Sequence, residues 1–282
     1  MHAEIRHCLA TVRDVFPEFF SGVSVLEIGS ADINGSVRSY FQSADYVGVD
    51  LIPGPGVDVV GQGEDVRLNR EFDVAVSTEC LEHNPKYFET FENMVRHVRP
   101  GGLVLFTCAT TGRPEHGTER SDPGDSPGTM VKGWNYYRNV EPEDLGAFPF
   151  DGVFESFRFY VNRISCDLYF VGLKKPFDGA KAGRGLDRIA TTLSVDESNR
   201  LTMQVSSMLK EIEQLNRNGG DPARIAVEID KAQQKLKQTQ DALIGARNQL
   251  HGVENSKTFR LVGLLPSLRK RIARARRIVD GI

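Results

Sequence analysis

Short runs of apolar and β-branched residues recur as far as residue 110, each closed by small or turn-forming residues. Val23–Ile28, Tyr46–Asp50, Val57–Val60, Phe72–Ser77 and Leu103–Cys108 predict five strands. Pro85–Val98 has a different period. Phe88, Phe91, Met94, Val95 and Val98 fall on one side of a helix, which Pro100-Gly101-Gly102 should stop. Strands that alternate with helix-like stretches predict a parallel sheet of βαβ units. A short helix at Glu141–Leu145 and two closing strands, Val153–Val161 and Cys166–Leu173, complete the pattern near Pro176. Between the two groups lies Ala109–Asn139, long and polar, with Trp134, Tyr136 and Tyr137 inside it. Loops of this length in a compact domain are lids or binding loops.

The rhythm changes in the last third. Residues 177–193 are rich in Gly, Lys and Arg and read as a linker. Beyond them Ile225, Ile229, Ala232, Leu236, Thr239, Leu243, Ala246, Leu250 and Val253 alternate steps of four and three, a coiled-coil seam. Leu201, Val205, Met208, Ile212 and Leu215 keep the same spacing. Asn218-Gly219-Gly220-Asp221-Pro222 separates the sets, so either the helix restarts or the chain turns back as a hairpin. The expected organisation is a domain over 1–176, a linker over 177–193, coiled-coil helices over 194–255 and a basic amphipathic tail over 256–282.

Charge sharpens this division. The net charge of −3 hides eight Lys or Arg between Lys257 and Val279 with no acid among them, which leaves 27 basic residues against 38 acidic ones elsewhere. An acidic body with a basic end predicts an anionic partner at the tail alone, and a nucleic acid is disfavoured because no recognition motif accompanies it. Cys8, Cys80, Cys108 and Cys166 lie far apart, with neither metal-ligand nor disulfide-framework spacing, and are expected as reduced thiols in a cytoplasmic protein. No secretory leader and no run long enough to span a bilayer is expected.

Candidate chemistry begins at Val25–Ser36 (VLEIGSADINGS). A buried strand ends in an acid, Glu27, and a small-residue loop with Gly29 and Ser30. Such a loop brings backbone N–H groups close to a ligand, and a helix starting after it would add a partial positive end. NAD, FAD and S-adenosylmethionine all suit such a loop. Asp50, at the end of the next strand, can accept hydrogen bonds from two ribose hydroxyls.

The ordered set VLEIGS, YVGVD, FDVAVSTECLEH and VRPGGLVLFT resembles the class I S-adenosylmethionine-dependent methyltransferases, over about residues 20 to 175. The resemblance implies an α/β, Rossmann-like domain with a seven-stranded, mostly parallel sheet. It implies that Glu27, Gly29 and Ser30 surround the methionine end of the cofactor. Asp50 would hold the ribose, Leu51 would pack on the adenine, Gln62 and Gly63 would sit at the adenine edge, and Glu79 would lie beside the cofactor. Ala31 and Ile33 stand where the family usually has glycines.

For O-methyl transfer to a sugar hydroxyl, His83 and His116 are the candidate bases. Arg113, Trp134, Tyr136 and Tyr137 are the candidate acceptor contacts, with Arg120 and Arg138 as further anion binders. No His, Asp and Glu spacing argues for a metal, although metal-dependent sugar methyltransferases exist in the wider family. The segment Glu254–Arg271 (ENSKTFRLVGLLPSLRKR) looks like the trailing part of many bacterial cell-surface-polysaccharide enzymes. It implies a glycan, sugar-nucleotide or lipid-linked acceptor, while the heptad seam predicts self-association or a partner helix through 225–253, and the basic amphipathic end predicts a peripheral place at an anionic inner-membrane surface through 257–277. A methyltransferase-like scaffold and a small-molecule methyltransferase are the alternatives.

Overall fold

A computed structural model describes residues 1–217 and 222–254. The expected basic tail, 256–282, lies outside the described residues.

The chain forms two compact units, Met1–Ile189 and the residues from Ala190 onward. The first unit opens with helix α1 (Ala3–Val15) and continues through strands β1 (Ser24–Ile28), β2 (Asp45–Asp50), β3 (Val59–Val60) and β4 (Phe72–Thr78). Helix α2 (Tyr87–His97) leads to β5 (Val98–Ala109). The short helices α3 (Pro127–Val131) and α4 (Phe150–Val153) precede β6 (Phe154–Asn162) and β7 (Asp167–Lys174). The seven strands form one sheet in the order β3-β2-β1-β4-β5-β7-β6. The first five run parallel, and β7 is antiparallel to both β5 and β6. The predicted seven-stranded, mostly parallel sheet is therefore the observed one.

The apolar runs became strands because both faces of the sheet are covered. Val25, Leu26, Val74, Ala75, Val76 and Leu103 are fully buried. Beside β5 the core is aromatic: Phe91, Phe106, Phe154 and Phe170 pack with ring centroids 5.3 to 5.7 Å apart in several of their pairs.

Several expectations need correction. No α-helix follows β1. Residues 29–44 form an irregular loop with a single 3₁₀ turn at Arg38–Tyr40. The stretch ADINGS has no apolar stripe that would give a helix a buried side. Among the connections between parallel strands, only β4 to β5 contains an α-helix. Pro100-Gly101-Gly102 does not end α2, which stops at His97. The triplet lies within β5 as a bulge, between the pairs Phe72–Val98 and Val74–Leu103. Gly102 is required there, since a Cβ would lie 2.7 Å from the Asp73 carbonyl oxygen.

The linker expectation also fails. Helix α5 runs from Gly179 to Arg217, so most of 177–193 is helical. The glycines and basic residues mask an apolar stripe of Ala182, Leu186 and Ile189, all buried. Gly185 lets this helix approach α1's end, where a Cβ would strike the Phe16 ring at 2.1 Å. The first unit thus extends past Pro176 to Ile189.

In the second unit, α6 (Pro222–Glu254) follows α5. The Thr239 hydroxyl of α6 lies 3.7 Å from the Met208 sulfur of α5. Leu243, Ala246 and Leu250 of the seam are buried. None of the described helices is long and apolar enough to cross a membrane.

Candidate active site

The sheet order reverses between β1 and β4, and a crevice opens beyond the carboxyl ends of the strands at such a point. Here a cavity of about 550 Å³ lies there. Its wall is built from the ends of three strands. β1 supplies Glu27 and Ile28 and then Gly29. β2 supplies Asp50 and then Leu51. β4 supplies Thr78 and then Glu79.

Gly29 makes the turn possible. Its φ is +80°, and a Cβ would lie 2.6 Å from both Cβ and Sγ of Cys80. Glu79 also takes a left-handed backbone, with φ of +51°, uncommon for a residue with a side chain. Gly63 lines the cavity where a Cβ would meet the Ile28 methyl at 2.6 Å.

The loop amides are not free, contrary to the expectation that they face a ligand. Gly29 and Ser30 donate to the Val49 carbonyl at 2.9 and 3.2 Å, Asp32 donates to Pro55, and Ala31 donates to Asp50 Oδ2 at 3.0 Å. The Leu51 amide donates to Asp50 Oδ1 at 2.7 Å. One lone pair per carboxylate oxygen remains for a hydroxyl. Ser30 is buried, and its Oγ has no partner among the described residues.

The electrostatics divide the acids. Burial pushes the Glu27 carboxyl up to about 7, although the Tyr46 hydroxyl donates to it at 2.7 Å. Burial would also raise Glu79, but the hydrogen bond and charge of His2, with Arg113 and His116, prevail and hold it below its ordinary value. His2 Nε2 lies 3.5 Å from Glu79 and 3.2 Å from Asp167. Burial alone would lower its pKa, yet these two carboxylates raise it to about 10. Arg113 joins the same cluster, 3.3 Å from Asp167 and 3.7 Å from Glu79.

Two histidines flank this group. His83, nearly fully buried, has its ring 4.8 Å from that of His116, edge to face. Burial, followed by the His116 charge, lowers the His83 pKa to about 4. Such an imidazole is neutral at pH 7 but a poor proton acceptor, which weighs against His83 as the general base. Glu82 beneath it is fully buried, and burial with the Glu79 charge raises its pKa well above the usual range.

Of the expected cofactor residues, Glu27, Gly29, Ser30, Asp50, Leu51, Gly63 and Glu79 line one cavity. Gln62 does not, and its side-chain amide donates to Asp65 instead. Of the other candidates, His83, His116, Arg113 and Trp134 line it, while Tyr136 and Tyr137 do not. The Tyr137 hydroxyl donates to Asn139, and its ring packs on His116 at 4.9 Å. Arg120 and Arg138 are paired with Glu115 and Asp144.

Sequence reasoning missed His2, Glu82 and Asp167. Glu82 carried a signal, an acid directly beside the candidate base His83 in the turn after β4. Asp167 and His2 carried none, because they meet Glu79 from opposite ends of the domain. The reasoning also missed how the long loop closes over Asp50 and Leu51. A Cβ on Gly128 would lie 3.2 Å from Asp50 Oδ1 and from Leu51 Cβ.

Residues 1–138 match the family model of a methyltransferase domain. No curated protein sequence matches the chain. Among solved structures, phosphoethanolamine N-methyltransferase 2 of Haemonchus contortus, in complex with S-adenosyl-L-methionine, aligns at a TM-score of 0.43 and 16% identity. The alignment covers 60% of this chain and 52% of that one, so the chain spans about half the length of that enzyme. The 1,6-didemethyltoxoflavin-N1-methyltransferase of Burkholderia thailandensis, with 1,6-didemethyltoxoflavin and S-adenosylhomocysteine, aligns at 0.43 and 17% identity, over 61% and 78% of the two chains. The N-methyltransferase NodS of Bradyrhizobium japonicum, with S-adenosyl-l-homocysteine, gives 0.40 and 13%, over 61% and 87%. Likenesses at this level carry no argument about what this chain acts on.

Proposed function

We propose that the chain is an S-adenosylmethionine-dependent methyltransferase whose acceptor is a hydroxyl of a saccharide, sugar nucleotide or lipid-linked saccharide. The observation that carries the cofactor reading is the convergence of Gly29, Asp50, Leu51 and Glu79 on one cavity at the sheet's switch point. The match of residues 1–138 to a methyltransferase domain supports it. The residues fit the group: the cavity is large enough for a nucleoside-sized ligand, Asp50 keeps one acceptor site on each oxygen, and Ser30 offers a buried, unpartnered hydroxyl.

When bound, the cofactor supplies an electrophilic methyl group on a sulfonium sulfur. Asp50 would accept from the ribose hydroxyls, and Leu51 would give the adenine an apolar face. Glu79, held ionised by His2 and Arg113, stands in the cavity wall as part of a paired cluster of charges. Pro127, Gly128 and Thr129 line the same cavity. Trp134 and Arg113 also line the cavity, and an indole and a guanidinium are side chains that suit a sugar and an anionic group.

The saccharide acceptor and O-methylation rest on these side chains together with the sequence resemblance of the tail. Self-association through 225–253 and docking of 257–277 on an anionic membrane rest on sequence alone.

The test is calorimetric titration with S-adenosylmethionine. Wild type should give a saturable heat, and Asp50→Ala should weaken binding at least tenfold, the loss of two charge-assisted hydrogen bonds. A wild type without heat would overturn the reading.

A further inference from the structure

His83 and Glu82 follow β4, and His116 comes from the long loop more than thirty residues later. The fold brings one ligand-capable atom of each within 4.8 Å of the other two. Two of the three side chains are buried and incompletely satisfied. His83 Nδ1 and Glu82 Oε2 have no hydrogen-bond partner among the described residues. Leaving buried polar atoms unmade costs on the order of 1–3 kcal/mol each, so a site that keeps two together requires an explanation.

The surroundings are those of a ligand set. Ligating histidines characteristically donate their second ring N–H to a carbonyl, and ligating carboxylates are themselves hydrogen-bonded. His116 Nδ1 lies 3.1 Å from the Pro114 carbonyl, which leaves Nε2 as the atom with a lone pair. Glu82 Oε1 accepts from the Ala109 amide at 3.2 Å, leaving Oε2. Gly117 holds the loop against His83, where a Cβ would lie 3.0 Å from Nδ1. His83 and His116 both line the cavity, so the coordination positions not taken by protein are open to it.

We propose that Glu82, His83 and His116 form a divalent metal site in the floor of the cavity. Two imidazoles and one carboxylate suit a cation of intermediate softness such as Zn²⁺ or Co²⁺ and disfavour Ca²⁺ or Mg²⁺. Ligand atoms about an ion with bonds of roughly 2.0–2.2 Å stand some 3–3.5 Å apart, within a small side-chain adjustment of the observed arrangement. Binding of the ion stands on this geometry alone. Its use, holding an acceptor oxygen in the cavity, rests on the methyltransferase reading.

The experiment is titration of the metal-free full chain with Co²⁺, followed by visible absorption and by calorimetry. A d–d band saturating at one equivalent is expected, with Zn²⁺ displacing it. His116→Ala, on the partly exposed loop, should weaken Co²⁺ binding by at least tenfold and leave the circular dichroism spectrum unchanged. Glu82→Gln should do the same, whereas His7→Ala, on α1, should bind as wild type does. Absence of the band in wild type, or a band unchanged in His116→Ala, overturns the site. S-adenosylhomocysteine titrated into the same metal-free protein separates the two ideas. Cofactor heat without Co²⁺ binding sinks the metal site alone, and Co²⁺ binding without cofactor heat sinks the methyltransferase reading alone.

Discussion

At the scale of single residues, the cavity is shaped by groups held away from their ordinary state. Glu27 sits at the end of β1, 3% exposed, with the Tyr46 hydroxyl as its partner and a carboxyl raised to about 7. In the unfolded chain the same carboxyl titrates near its usual ~4.3. Between these values the folded protein binds the extra proton, so the native state loses stability as pH rises from about 4.3 to about 7 and is level above. Glu27→Gln keeps an acceptor for Tyr46 and removes the charge. The variant should match wild type near pH 4 and exceed it above pH 7 by on the order of 1–3 kcal/mol. Urea midpoints measured from pH 4 to 8 check this. A constant offset across the range would contradict it. Glu79 is the opposite case, kept ionised in a buried place by His2 and Arg113. Neighbouring strand ends thus hold one carboxyl prone to protonation and one resistant to it, a difference set by partners and not by residue type.

At the scale of elements, the loop after β1 does the work a helix was expected to do. It binds β2 through the amides of residues 29–31, so its shape depends on Val49 and Asp50 rather than on helical hydrogen bonds. Gly29 is the hinge of that arrangement. Gly29→Ala would place a methyl 2.6 Å from Cys80 at a φ of +80°. The cost should be about 1–3 kcal/mol, a fall in melting temperature of several degrees, with a parallel loss of cofactor affinity. Differential scanning calorimetry with and without S-adenosylhomocysteine reads both effects. An unshifted transition would show that the turn is not under this constraint. Ala31 and Ile33, where glycines were expected, create no clash. Ile33 is exposed at the cavity rim, and Ala31 uses its backbone only. The PGG triplet teaches the same lesson about local signals. Locally its residues predict a helix terminator, yet the pairing of β5 with β4 absorbs them as a bulge.

At the scale of the whole molecule, the chain separates into a catalytic-type unit and a helical one, Met1–Ile189 and Ala190 onward. Within the second unit Leu243, 4% exposed, belongs to the heptad seam whose Thr239 reaches Met208. Leu243→Asp buries an unpaired charge and should destabilise the α5–α6 pairing by about 3 kcal/mol or more. Hydrogen exchange should quicken along α6 while S-adenosylmethionine binding by the first unit stays as in wild type. Loss of cofactor binding in this variant would show that the two units do not behave independently.

The sequence by itself determined the central strands, because buried strands of a parallel sheet are continuous apolar runs whatever their neighbours, whereas the edge strand expected over Val57–Val60 shortens to Val59–Val60. It also determined the residues at the strand ends, Gly29, Asp50 and Glu79, because their place follows directly from the ends of those runs. It misread residues 179–193, where glycines and cations concealed the stripe of Ala182, Leu186 and Ile189. Only the tertiary structure decided which distant residues meet. His2, Glu79 and Asp167 converge from the start of α1, the end of β4 and the start of β7, and His116 reaches His83 across a long loop. Such encounters depend on sheet order and loop path, which no local period encodes. The same is true of charge state: His83 is set near 4 and His2 near 10 by burial and by partners that only the fold brings to each.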